Sequence, residues 1–281
     1  MKSKTTIMKT SGVLTLAIAF AFFSCQKAKE ATDTKMTDAL GLSAASGISE
    51  TLYDDAFDVV LQDGESNNIA GREYTAAKLT SCATVTLSPA ELVTFPKTMI
   101  IDFGAGCTSS NSVVRKGKIT AVMSGRIRTA GTTIAVSFDN YFVNGFKLEG
   151  SYMITNNGGT GLNFTRQVSN GKLTYPDGTT WYTYTGTHTL AQTAGSGTAT
   201  FSDDNFAVTG NGSTGSSAGN NLTVTISTPL VKTGTCRNIS SGIEQFTYNA
   251  ISGSLNFGDG TCDNQALLTV GPLSQTITLP R

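Results

Sequence analysis

Histidine and tryptophan each occur once in the 281 residues, cysteine five times and proline six times, and only 14% of residues are charged. Each scarcity closes off a chemistry. A Ser–His or Cys–His catalytic pair would have His188 as its one imidazole base, with no G-x-S-x-G motif near it. There is no Cys-x-x-Cys, no His-Glu-x-x-His, no P-loop, and no G-x-G-x-x-G that follows a strand and opens a helix. No run of lysine and arginine is long enough to neutralise a series of phosphates, which excludes nucleic acid as a partner. With charge sparse and Gly, Ser, Thr and Asn abundant, the chain suits short strands joined by tight turns.

From Cys82 onward apolar and polar residues alternate. Ala121 and Met123, Ile134 and Val136, Leu148, Tyr152 and Ile154, and Leu222, Val224 and Ile226 fall on one face, with Thr, Ser and charge on the other. Turn sequences separate these runs: VNG at 143–145, NNGG at 156–159, SNG at 169–171 and PDG at 176–178. The pattern predicts an all-β domain over 48–281, an antiparallel meander or β-sandwich of about a dozen strands, led by one short helix over about 48–62. In that helix Ile48, Leu52, Ala56 and Val59/Val60 recur at helical spacing, while Glu50, Asp54, Asp55 and Asp58 read as a solvated face. Residues 25–47 show no strong periodicity and read as a flexible tether.

Cys82 is followed 21 residues later by Phe103, which opens FGAGC, and Cys236 is followed 21 residues later by Phe257, which opens FGDGTC. Equal spacing argues for an internal repeat. Four cysteines allow three pairings. The expected ones are the local pairs Cys82–Cys107 and Cys236–Cys262, each closing a loop worth roughly 3 kcal/mol in the chain-entropy model; metal ligation is the alternative. The remaining cysteine, Cys25, follows a basic start, MKSKTTIMK, and an apolar run of about a dozen residues, too short to span a bilayer as a helix. This is the layout of a signal peptide over 1–24.

The sequence around the break, FFSC, resembles a bacterial lipoprotein lipobox, which implies that Cys25 carries the lipid (diacylglycerol and palmitate) of an outer-membrane protein. Together with the FG-x-G/Cys corners and the VNG and PDG turns, it gives the chain a resemblance to Bacteroidota outer-membrane and surface lipoproteins with a Gly/Thr-rich β domain. That resemblance implies an envelope location, on the surface or the periplasmic face, a membrane partner through the N-terminal lipid, and no assigned chemistry.

Candidate ligand-binding residues cluster in YPDGTTWYTYTGTHT, where Tyr175, Trp181, Tyr182 and Tyr184 surround a hairpin turn. Aromatic faces beside polar donors hold sugar rings, and core packing explains the same residues equally well. Asp259 and Asp263 could take Ca²⁺ with backbone carbonyls, or serve only as turn formers. No carboxylate pair stands out as a catalytic acid and base. The sequence therefore favours a non-enzymatic module binding a glycan or an envelope protein. The alternatives are a periplasm-facing assembly component and a polysaccharide-active enzyme.

Overall fold

The computed structural model describes residues 15–69, 82–109, 112–198 and 203–281, with side chains described within the N-terminal helix from Asp33 onward. Most of the expected signal segment and the side chain of Cys25 therefore lie outside the described residues.

One helix, α1 (Thr15–Ser66), precedes fourteen strands that form a single sheet. The first strands are β1 (Thr84–Ser88), β2 (Lys97–Asp102), β3 (Cys107–Thr108), β4 (Val114–Met123), β5 (Thr133–Val143), β6 (Phe146–Asn156) and β7 (Asn163–Thr174). They continue as β8 (Trp181–Ala194), β9 (Asn205–Ser216), β10 (Asn221–Thr233), β11 (Cys236–Tyr248), β12 (Ile251–Asp259), β13 (Gln265–Val270) and β14 (Leu273–Thr278). Each pairs antiparallel with the next, except that β2 and β3 both pair with β4. This is the expected meander. Two-residue turns such as Asn144-Gly145, with φ of 47° and 86°, supply the left-handed backbone that the twist of a hairpin requires.

The sheet curls around the helix. Tyr53 stacks on Tyr184 of β8 and also meets Phe138 of β5 and Tyr152 of β6, whereas Gly47 lies against Leu255 of β12. Opposite walls thus face each other across α1, a sandwich-like arrangement with a helix as its filling. Register shifts within β5, β7, β10 and β11 tighten the curl. Edge strands β1 and β14 share no ladder, but the Asn144 side chain donates to the carbonyl of Pro280 at 2.9 Å and draws the two flanks together at one end.

The helix corrects two expectations. It is not confined to about 48–62, and the stretch read as a tether is helical throughout. Every residue from Ala45 to Leu61 is buried. Residues 33–38, by contrast, are exposed or half-buried, so the helix enters the barrel gradually. Small residues let the wall close in: a Cβ on Gly47 would stand 2.5 Å from the Leu255 side chain, and one on Gly64 would stand 2.2 Å from that of Ile127. Among the described residues no helix is long and apolar enough to cross a membrane.

The disulfides pair as expected, Cys82 with Cys107 and Cys236 with Cys262. The near end of the barrel is where Asp38 enters between Asn220 and Tyr248, and the far end carries the β10–β11 and β12–β13 turns. Cys107 lies across the ladder from Arg115, and Cys236 adjoins Arg237, a neighbour of Arg115 and Arg281.

Candidate functional site: a charged lumen and a neutral outer wall

The acids of α1 overturn the reading of a solvated face, because Glu50, Asp54, Asp55 and Asp58 are all buried. Four cations from the wall meet them. Arg166 of β7 bridges Glu50 and Asp54. Lys232 of β10 donates at 2.8 Å to both Asp54 oxygens and also reaches Asp58. Arg281 binds Asp54 and Asp58. Arg115 of β4 grips Asp55, with its Nε at 2.9 Å. Glu50, Asp54 and Asp58 recur every four residues and so line one face, where Arg166 of β7 links the first two and Lys232 of β10 the last two. At the far end Arg128 ties Glu65 to Asp204, with Nε at 2.8 Å from Glu65.

This pairing sets the protonation states. Burial alone would raise the carboxyls of Glu50, Asp54 and Asp55, but the facing cations outweigh it and hold all three below the usual carboxylate range. Burial pushes His188 down, so it is neutral at pH 7, with Nδ1 3.3 Å from Glu50. The Tyr184 hydroxyl donates to the same carboxylate at 2.6 Å, and burial with that neighbouring charge raises its pKa. Glu244 of β11 is fully enclosed. Burial first, then the charge of Glu50, push it up to about 8. Along the middle of the helix Glu50, Asp54, Asp55 and Asp58 thus face four bonded cations, while His188 and Glu244 beside them are neutral. Pairing of this kind locks the helix in the lumen.

The predicted binding residues do not converge. Tyr184 points into the lumen. Tyr175 and Tyr182 pack with Phe146 at the near-end rim, with ring centroids 5.0 and 5.6 Å apart along the chain of contacts. Trp181 faces outward, with the Lys172 ammonium 4.9 Å from its ring. Asp259 and Asp263 border one surface hollow, yet Asp259 accepts from the Thr261 amide and hydroxyl at 3.1 and 2.8 Å, and Asp263 accepts from the Gln265 amide at 2.9 Å. Both act as turn formers. Among the described residues no three His, Cys, Asp or Glu side chains gather in a metal-holding group. Gly215-Ser216-Ser217-Ala218-Gly219 spells G-x-S-x-G, but it forms a hairpin turn rather than a strand-to-helix elbow, and His188 is enclosed in the lumen.

The outer wall differs. Two hollows of about 450 and 480 Å³ lie on it, over β7–β9 and β4–β7, and no charged side chain lines either. Sequence reasoning missed both the lumen and these hollows. One signal for the lumen was available: Arg166 sits in phase with Phe164 and Val168, and Lys232 in phase with Leu230, so cations occupy inward positions. Compared with protein families, curated proteins and solved structures, the chain matches none.

Proposed function

We propose that the chain is a lipid-anchored, non-enzymatic binding module of the bacterial outer membrane. The observation that carries this reading is the continuity of α1. The helix that contains Cys25 runs unbroken into the barrel core, so an acyl group on that cysteine would hold the whole domain through one rigid rod. Fourteen positions along the helix lead from Cys25 to Ala39, the first buried residue among the described side chains, a distance of about 20 Å. Two disulfides suit an oxidising compartment.

A purely binding role is supported by the lumen, where Glu50, Asp54, Asp55 and Asp58 are paired with cations, and by two outer hollows lined without a charged side chain. An assembly role through an apolar sheet edge is less favoured, because β14 reads LSQTIT and β1 reads TVTLS. The test is metabolic labelling with an alkyne palmitate, combined with protease shaving of intact cells that carry an epitope inserted at Ser217–Gly219, an exposed turn away from the ion pairs. Label that disappears in Cys25→Ser, with epitope lost on shaving, is the expected result. Unlabelled protein would overturn the anchor, and an epitope protected until the outer membrane is breached would place the domain on the periplasmic face.

A further inference from the structure

The two outer hollows share Gln167 and Ser169, so they form one groove that crosses the strands. Its floor follows from register. Val122, Ala135, Met153, Gln167, Thr187 and Asn211 stand opposite one another, one from each of β4 to β9. Neighbouring strands lie about 4.8 Å apart, so this row runs about 24 Å. Its first three members are apolar, with Val122 and Met153 each 40% exposed; its last three are hydrogen-bonding amides and a hydroxyl. The adjoining row is made of small hydroxyls: Ser137, Ser151 and Ser169, then Thr185 bonded to Ser213 at 2.8 Å.

The depth of the polar half has a cause inside the wall. Gly186 and Gly212 are paired across β8 and β9 and face the lumen. A Cβ on Gly186 would stand 2.7 Å from the Tyr184 hydroxyl and 2.9 Å from His188 Cε1, so glycine leaves these two inward side chains room to fold flat under the wall. On β7 the close approach is to the helix itself: a Cβ on Gly171 would stand 2.7 Å from the Tyr53 hydroxyl.

We infer that this groove binds a neutral, linear glycan that lies across the strands and bears methyl or acetyl substituents on the portion over β4–β6. Hydroxyls and primary amides both donate and accept, which matches sugar hydroxyls without regard to charge. An uncharged lining gives phosphate or carboxylate ligands no charge-assisted hydrogen bond. The exposed Val122, Ala135 and Met153 fit deoxy or acetylated positions, whose apolar surface they remove from water. The inference rests on the binding-module reading, but its test does not depend on the anchor.

The experiment applies the full chain, purified in mild detergent whether or not it is acylated, to an array of neutral polysaccharides presented with and without O-acetyl groups, beside acidic polysaccharides. Binding to acetylated neutral glycans is expected, weakened at least about tenfold by the pair Thr187→Val and Asn211→Leu, because two hydrogen-bonding sites are lost. Met153→Glu is expected to erase the preference for acetylated over unacetylated chains. All three positions face outward, and unchanged melting would confirm intact folding. Binding that ignores both variants would place the ligand elsewhere. Preference for acidic glycans, or binding to none, would overturn the inference while the palmitate and shaving results stood on their own.

Discussion

Arg166 and Gln167 are neighbours on β7 and face opposite environments. The arginine points inward, clamped between Glu50 and Asp54, while Gln167 points outward onto the floor of an uncharged groove. The same division holds along β8, where Tyr184 and His188 face in and Thr185 and Thr187 face out. A soluble barrel ordinarily keeps its charge outside and its apolar groups within. Here the interior holds a second element whose rotation and depth must be fixed, and apolar contacts alone tolerate sliding. Ion pairs from four directions accept one register only, at the energetic cost of removing eight charged groups from water. The outer wall over β7–β9 has no such task and is left free to be uniform and neutral.

The comparison breaks most readily at Arg166. Replacing it with Met strands Glu50 without its guanidinium and is expected to cost about 3–5 kcal/mol, read as a drop in the urea midpoint. A loss below about 1 kcal/mol would show that the lumen charges do not hold the helix. The pH profile is the next largest effect. Glu244 keeps a proton up to about pH 8 in the folded protein, whereas an ordinary carboxyl releases it near 4.5. The folded state therefore binds the extra proton, and stability falls as pH rises from about 4.5 to about 8. The depressed carboxyls of Glu50, Asp54 and Asp55 act oppositely, contributing stability above their ordinary range that is lost as pH falls below about 4. Glu244→Gln should flatten the alkaline decline and leave the acid limb in place; parallel curves for the two proteins would refute the assignment.

Gly186→Ala sharpens the contrast by forcing a methyl into the lumen beside Tyr184 and His188, and is expected to cost about 1–3 kcal/mol. The smallest effect belongs to the outer face. Thr187→Val should change stability by no more than about 0.5 kcal/mol, measured on the same urea curves.

The outer wall and its turns were legible because alternation of period two and Asn-Gly or Asp-Gly pairs are local signals. The disulfides were legible through the equal spacing in the two cysteine corners. The lumen was not. An acid on a helix reads as solvent-facing unless its partner is known, and the partners of Asp54 stand 112, 178 and 227 residues away. Trp181 and the three tyrosines share a short stretch of sequence but alternate across the sheet, so proximity in the chain placed them in three surroundings.

Those separations also carry a consequence in time. Although α1 precedes every strand, its acids cannot be desolvated until wall cations from β4, β7 and β10, and Arg281 beyond β14, are in place. Loop closure over such distances must come before the contacts that reward it, so this topology folds late and slowly. Until then the helix is a hydrated, acid-bearing segment beside unjoined hairpins, pliant and uncommitted until the last residue of the chain arrives.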